Sequence, residues 1–472
     1  MASSAGSAAT VTGRPAWLPV AAAMFCCGWG GNQFTPLLVM YRDAGYSVLV
    51  VDVLLGAYVV GLIPGLLTLG RLSDRVGRKP VLIGGTVLSL VASGSTALGE
   101  AGAVWIAIGR FVTGVGLAAA MAVGSTWVQE LTEREPASPA GLGPRRSALC
   151  LTLGLGIGPG VAGVLAQWGP WPMVLPFLVH MALCVGALVV VRRSPETRPV
   201  RDARTRSRTH ALRPAGRLGS LGHPRFVRII VPLAPWVFGS VGVAYAIMPQ
   251  VVEGRLGSWG LAYSTSLTVC TLGAGVAIQP IAKRLDRQDS ARAAVTAMTI
   301  LCLGLALSTW TAAVRSPWLA LGAALVLGSG YGIAIVAGLL ELQRLAPARE
   351  LATMTGIFYA LAYVGFLLPA LLAALSAWAS YVALLLGLTV IAVTGTAVVV
   401  RNSTRHLPRA PGGSDGGAEA SPPARSRGAR PVRSDVTSTS PSSSSGQPGG
   451  AVERGLPDPP RGSTPSRSPR FS

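Results

Sequence analysis

Apolar residues in this chain gather into long runs separated by short polar breaks. A helix needs about 20 mostly apolar residues to cross the hydrocarbon core of a bilayer. Runs of that order recur at 17–40, 50–69, 81–98, 104–128, 148–166, 171–191, 227–252, 261–282, 293–314, 318–340, 351–375 and 378–400. The pattern predicts an all-α integral membrane protein with twelve transmembrane helices. Two stretches interrupt it. Residues 192–226 form a basic, proline-containing connector, and residues 401–472 form a Ser/Pro/Gly/Arg-rich tail with too few apolar residues to fold. The connector divides the spans six and six, so the expected organisation is a short N-terminal segment 1–16, a six-helix bundle 17–191, the connector, a second six-helix bundle 227–400 and a disordered tail.

Composition agrees with a membrane chain: half of the residues are hydrophobic, only 12% are charged, and the mean hydropathy is +0.51. The net charge of +21 raises nucleic acid as a partner, and the placement of the arginines argues against it. One set of alternate loops carries Arg71, Arg75, Arg78 and Lys79, then Arg134, Arg145 and Arg146, then the eleven arginines of 192–228, then Lys283, Arg284, Arg287 and Arg292, then Arg344 and Arg349. The other set carries Arg42, Arg255 and Arg315. Twenty-four basic residues against three is the positive-inside pattern, which puts both termini in the cytoplasm. The basicity is topological, and no nucleic-acid binding is expected. All six cysteines fall inside the runs, where they act as small apolar residues, so disulfides are not expected. The first run is long, lacks a small-residue cleavage site and is preceded only by Arg14, so it reads as a retained helix and not a signal peptide. Abundant Ala, Gly and Arg with scarce Lys point to a GC-rich bacterial genome, hence to a bacterial plasma membrane.

The six-plus-six division suggests an internal repeat, and one appears at a shift of about 212 residues. Gly61, Arg71, Asp74 and Arg75 match Gly273, Lys283, Asp286 and Arg287. With two further residues of shift, Gly114, Gly116, Gly124, Gln129 and Leu131 match Gly328, Gly330, Gly338, Gln343 and Leu345. The first copy continues as "GRK" and the second does not.

The stretch LGRLSDRVGRKPVL places Arg71, Asp74, Arg75, Arg78 and Lys79 between spans two and three, which so short a link makes antiparallel neighbours. Gly70 and Gly77 allow close backbone approach, Asp74 caps or pairs locally, and the bases hold the turn on the cytoplasmic side. An ordinary positive-inside turn would explain the charge but not these intervals. The "GRLSDRVGRKP" pattern resembles the G-x-L-a-D-r-x-G-r-k/r signature between helices two and three of the major facilitator superfamily, and the resemblance extends over 17–401 in span count and halves. "RRSPETR", Arg192 to Arg198, is similar to the P-E-x-x-R stretch that often follows helix six there. The resemblance implies a conformational latch: Asp74 meeting a helix end of the other half, Arg78 pairing with Glu130, and Arg145 able to join, with Gly70, Arg75 and Gly77 shaping the turn.

Charges inside the spans carry the next candidates. Arg110 lies about seven residues from the outer end of span four, hence ~10 Å deep, where an arginine costs about 2.5 to 3.5 kcal/mol unless it lines a cavity or finds a partner. Snorkelling to the surface is the plain alternative. "RFVTGVG" resembles the family's helix-four arginine motif, linked there to proton coupling. An arginine does not itself release a proton, so coupling needs a carboxylate. Asp52, near the outer end of span two, is the acid of the first half at comparable depth, and Glu341 in span ten is a second candidate; either also reads as an interface residue. Where many proton-driven exporters of the family carry an acid in helix one, this chain has Asn32 and Gln33, which can hydrogen-bond a substrate or a neighbouring helix. In span five, Gly154, Gly158, Pro159 and Gly163 match the family's G-x-x-x-G-P-x-x-G-G antiporter signature, with Ala162 replacing one glycine. Tight packing around a proline kink explains the same residues without it. Trp29, Tyr58, Tyr245, Tyr331, Tyr359 and Tyr363 are candidates to line an apolar cavity.

The chain lacks G-x-x-x-x-G-K-[ST] and its His and Cys residues form no metal pattern, so neither a primary pump nor a metalloenzyme is expected. The expectation is a monomeric, cofactor-free secondary transporter working by alternating access, exporting hydrophobic or amphipathic small molecules against protons. An uptake symporter or facilitator for a polar metabolite is the rival that Asn32 and Gln33 favour. A non-transporting membrane scaffold, resting on the Ser- and Arg-rich tail, is a second rival.

Overall fold

A computed structural model describes residues 15–136, 138–139, 141–198, 219–287 and 289–405. Most of the expected N-terminal segment, most of the connector and almost all of the tail lie outside the described residues, and with them the expectation of a disordered tail. Among the described residues the fold is all helical. The first rod is α1 (Leu18–Asn32) and α2 (Leu38–Asp43), joined by a 3-10 turn at Thr35–Leu37. Then come α3 (Val48–Val76), α4 (Arg78–Ala97), a fourth rod of α5 (Ala103–Ala119) and α6 (Ser125–Glu133) joined by a π-helical turn at Ala120–Gly124, α7 (Leu142–Trp168) and α8 (Leu175–Val191). The second half opens with π-helical Phe226–Ile230, α9 (Val231–Gly242), a second π-helical turn at Val243–Ile247 and α10 (Met248–Val252). Next are α11 (Gly260–Ala277) with α12 (Gln279–Leu285), α13 (Arg292–Val314), α14 (Pro317–Leu345), α15 (Ala348–Val364) with α16 (Leu368–Leu375), and α17 (Tyr381–Asn402). Ten of these twelve rods are long and apolar enough to cross a bilayer unbroken. The other two are the interrupted first rod and the 17-residue α8.

Several rods outrun the apolar runs that predicted them. The charged stretch between spans two and three is not a loop: α3 carries Arg71, Asp74 and Arg75 on its last turns, and α4 starts at Arg78. The link is Gly77 alone, at φ 103°, a left-handed conformation that a side chain strains. Outside the hydrocarbon core, charged residues are solvated and continue a helix at little cost, so hydropathy ends earlier than the helix does. Gly77 also lets Glu196 approach, since a Cβ there would sit 2.7 Å from its Oε2. Gly70 has open space where a Cβ would go. Its expected role in close approach is therefore not seen.

Small residues set the spacing between rods, as expected where lipid supplies no hydrophobic drive for helices to associate. The internal repeat is visible here. A Cβ on Gly114 would run into the Tyr58 carbonyl of α3, and one on the matching Gly328 into the Thr271 carbonyl of α11. The fourth and tenth rods thus lie backbone to backbone on the second and eighth. The symmetry is partial, because Gly61 packs on the Phe111 carbonyl while its match Gly273 faces open space.

The second half is fastened by Arg225, which sequence reading counted with the connector. Its side chain is fully buried, with Nε 2.7 Å from Glu341 Oε2 and Nη2 3.1 Å from Oε1. Nη1 donates to the carbonyls of Ser403 and Arg405. One guanidinium thereby ties the start of rod seven to α14 and to the end of α17. Glu341, proposed as a proton carrier, is instead locked by this fork and by Arg344 Nη1 at 2.9 Å. Removing one member of such a buried pair costs about 3 to 5 kcal/mol. Arg225→Ala should lower the melting temperature of the purified protein by the equivalent of that cost, and Arg225→Met with Glu341→Met should recover at least half of it in the same melting assay.

Candidate functional site: a neutral cavity between braced halves

At the end of the molecule that carries the basic loops, the first half holds a closed polar network. Arg78, 6% exposed, donates to Asp74 Oδ1 at 2.9 Å, Ser73 Oγ at 2.6 Å and, through Nη2, Glu130 Oε1 at 3.1 Å. The stretch after α8 completes it. Glu196 accepts from the backbone N–H groups of Arg78 and Lys79, satisfying donors at the start of α4. Lys79 Nζ reaches the Ser194 carbonyl, Thr197 Oγ1 donates to Glu130, and Arg198 donates to Asp74 at 2.7 Å. The Arg78–Glu130 pair forms as expected. Asp74, however, meets Arg78 and Arg198 of its own half and not a helix of the other, because the halves stand apart at this end. Arg145 is exposed and does not join, whereas Arg146 pairs with Glu135 and stacks on Trp17. Arg75 is exposed and makes no ion pair among the described residues.

The second half solves the same problem with the charges exchanged. Ser290 occupies the place of Arg78 in the repeat, and Arg292, the first residue of α13, is exposed, so neither supplies the base that meets Asp286. It comes instead from Arg344, the match of Glu130, which donates to Asp286, the match of Asp74, at 2.6 Å. The lost "GRK" is thus compensated from α14.

Between the halves lies a cavity of about 970 Å³. Gln129, Pro144 and Ser147 face Gln279, Gln343 and Leu351 across its mouth at the basic-loop end. Its depth is aromatic: Tyr58, Phe238, Tyr245, Tyr331, Tyr359, Tyr363 and Phe366 line it, and Phe238 stacks on Tyr363 at 4.2 Å and on Phe366 at 5.1 Å. No Asp, Glu, Lys, Arg or His is among the described lining residues. Asn32 lines the wall as proposed, and the buried Tyr245 hydroxyl has no partner among the described residues. Gln33 turns away: it donates to Ser93 Oγ at 3.0 Å and accepts from Trp29 Nε1 at 3.1 Å. Ser93 in turn meets His180 Nδ1 at 2.7 Å, and His180 Nε2 meets the Cys26 carbonyl at 2.9 Å. This chain joins α1, α4 and α8, and it takes Gln33 and Trp29 out of the cavity.

Arg110 is 2% exposed and does not snorkel. It donates to the carbonyls of Leu55 at 3.1 Å, Leu54 at 3.3 Å and Gly31 at 3.4 Å, and lies over the rings of Tyr58 and Phe34 at 4.6 and 4.8 Å. No carboxylate among the described residues shares this nest. Asp52 points elsewhere and accepts from Gln250 Nε2 at 3.0 Å, so the expected Arg110–Asp52 pairing is absent. Arg110 braces the cavity wall from behind, through the ring of Tyr58 and the carbonyl of Gly31.

The span-five motif divides by position. Gly154 packs on the Phe25 carbonyl and Gly158 on the Trp29 backbone, which draws α7 against α1 in the turns just ahead of the buried Pro159. Gly163 lies farther along, at the end away from the basic loops, where a Cβ would collide with the Thr265 side chain of the second half. Gln167 also crosses there, donating to the Ser258 carbonyl and accepting from the Ala262 N–H. This end is shut while the other is open.

Residues 20–370 match the sequence model of the Major Facilitator Superfamily. The chain belongs to that superfamily. It is a multi-pass membrane protein of a superfamily of transporters. Among curated proteins it is 31% identical over 177 residues to the multidrug resistance protein MdtL of Klebsiella pneumoniae, covering 36% of this chain and 42% of that one. It is 25% identical over 244 residues to a chloramphenicol resistance protein of Pseudomonas aeruginosa, covering 50% of this chain and 54% of the other. The chain thus spans about half the length of these relatives. Among solved structures, a D-xylose–proton symporter superposes with a TM-score of 0.61 at 15% identity, over 83% of this chain and 97% of that one. The nucleoside transporter NupG superposes at 0.64 and 11% identity, over 82% and 99%. At such identities the likeness establishes the fold alone.

In a chain that exchanged which end is open, the contact at the shut end would have to part in every cycle. Gly163→Val should prop that end apart and cut transport at least tenfold, an energetic change of about 1.4 kcal/mol or more, while leaving the amount of folded protein in the membrane unchanged. Adding Thr265→Gly should restore flux. Flux assays on the single and double variants check this.

Proposed function

We propose that this chain is a secondary exporter of neutral hydrophobic or amphipathic small molecules, driven by the proton gradient through alternating access. One observation carries the reading: a large aromatic cavity between the halves, open at one end, with no charged side chain among its described lining residues. An aromatic wall binds flat apolar surface with little demand on shape, each favourable ring contact contributing about 0.5 to 1.5 kcal/mol beyond burial. A permanent cation in such a site would give up its hydration without a carboxylate to replace it. The free Tyr245 hydroxyl, and the capacity the Asn32 amide keeps beyond its bonds to the Leu155 carbonyl and Thr35 Oγ1, supply neutral hydrogen bonds that orient a ligand. The basic loops surround the open mouth, and the positive-inside rule sets that mouth toward the cytoplasm of a bacterial plasma membrane, with both termini on that side. The conformation is then the one that loads from inside. The names of the relatives, a multidrug and a chloramphenicol resistance protein, agree with export.

Energy would come from protons, without a bound cofactor, in a chain acting as a monomer. Because no carboxylate lines the cavity, proton and substrate would not compete for one group, and coupling would pass through the conformation. Exchange of a neutral solute for protons moves net charge. It would therefore be driven by the membrane potential, at about 2.3 kcal/mol per charge per 100 mV, as well as by the pH difference.

In everted vesicles energised to an acidic, positive interior, chloramphenicol as a neutral probe should accumulate, and ethidium, a permanent cation, should not. Collapsing the potential alone should lower the neutral flux. Tyr363→Ala, which removes rings stacked on Phe238 and Phe366, should raise the KM for the neutral probe roughly 5- to 30-fold. Accumulation of the cation, or entry of a polar solute indifferent to the gradient, would instead favour a cation exporter or an uptake facilitator.

A further inference from the structure

At the shut end, one polar contact between the halves involves an ionisable group. Asp52, fully buried on α3, accepts from Gln250 Nε2 of α10 at 3.0 Å, and Gln250 Oε1 accepts from Tyr381 Oη of α17 at 2.8 Å. The contact is built with capacity to spare. Asp52 Oδ1 is buried without a hydrogen-bond partner among the described residues, and so are all three guanidinium nitrogens of Arg42 on α2. Arg42 faces Asp52, Asp43 and Glu253 together with Tyr381, and these are the titratable groups around the contact. Asp52 and Arg42 belong to the same half, while Gln250, Glu253 and Tyr381 belong to the other. When the halves part, Asp52 loses Gln250 and keeps Arg42.

We propose that the Asp52–Gln250–Tyr381 chain is a proton-sensitive fastening of this end, closed by the ionised carboxylate and released when Asp52 takes a proton. A hydrogen bond accepted by a carboxylate is about twice as strong as one accepted by a neutral group. Protonation replaces that acceptor with a neutral acid whose own O–H needs a partner. The inference concerns the conformational balance and holds whichever way substrate moves.

The test reads that balance without a substrate. Thr265→Cys, buried against Gly163 at the shut end, is labelled with a membrane-impermeant maleimide in the full-length protein in liposomes, the unsubstituted chain giving the background. Rates are normalised to Ala101→Cys, an exposed position at the same end, to remove the intrinsic pH dependence of thiol reactivity. Acidifying the medium should raise the normalised rate roughly tenfold. Asp52→Asn should show the raised rate already at alkaline pH with no further acid response, and Gln250→Ala, which leaves Asp52 ionisable, should raise the alkaline rate and flatten the response. A pH response that survives Asp52→Asn, or an alkaline rate unchanged by either substitution, overturns the proposal.

Discussion

Lipid offers no hydrogen bonds, and this chain is organised by that constraint. Each polar group within the hydrocarbon layer must be satisfied by another part of the protein or must line a cavity. Arg110 shows the consequence most clearly. At ~10 Å depth it would cost about 2.5 to 3.5 kcal/mol unpartnered, and it is accommodated by three main-chain carbonyls and two aromatic rings, with no counter-charge. Polar side chains elsewhere obey the same rule: Gln33, Ser93 and His180 satisfy one another in a chain that ends on a carbonyl. Formal charges beyond Arg110 are confined to the two ends. The middle of the molecule is left with a cavity wall that is aromatic and neutral, so the constraint that stabilises the fold also decides what the fold can bind.

At the basic-loop end the constraint relaxes and ion pairs become affordable, and there the halves differ in an instructive way. The first half uses an acid–base–acid cluster, Asp74, Arg78 and Glu130, supported by Glu196, Thr197 and Arg198. The second uses Asp286, Arg344, Glu341 and Arg225, with base and acid exchanged at matching positions of rods four and ten. These ion pairs close within a half while the halves are apart, so they make each bundle rigid. Rigid bundles are what a rocking motion requires, because strain in a soft bundle would be absorbed locally and not transmitted to the far end.

Much of this was legible in the sequence, and the limits have a common cause. Hydropathy found all twelve rods, the repeat matched Gly114 to Gly328, which make equivalent helix contacts, and the resemblance of the GRLSDRVGRK stretch implied the Arg78–Glu130 pair. Facing directions were not legible. A helix that is apolar all round carries no stripe to say which side meets the cavity, so Asn32 and Gln33, neighbours about 100° apart on the helix, were read alike although only Asn32 reaches the wall. The same blindness paired Asp52 with Arg110 on depth alone, missed Phe238 and Phe366 among equivalent aromatics, and assigned Arg225 to a loop because it stands among loop arginines. Its burial depends on Glu341, 116 positions away, a relation that local pattern does not contain.

The shut end shows why the molecule can change state. Its described polar contacts are few and uncharged but for one, Gln167 on Ser258 and Ala262 and Asp52 on Gln250, and they sit beside close apolar approaches such as Gly163 against Thr265 and Gly56 against Leu367. Hydrogen bonds of this kind contribute about 0.5 to 1.5 kcal/mol each, so the polar part of the interface is worth only a few. Moving a two-state balance from one side to the other takes about 5.5 kcal/mol of differential binding, which a ligand filling an aromatic cavity can approach. Had the shut end been joined by forks like Arg225–Glu341, at 3 to 5 kcal/mol apiece on removal, no small neutral ligand could reopen it. Strong ion pairs within each half and weak polar contacts between them are therefore two parts of one requirement.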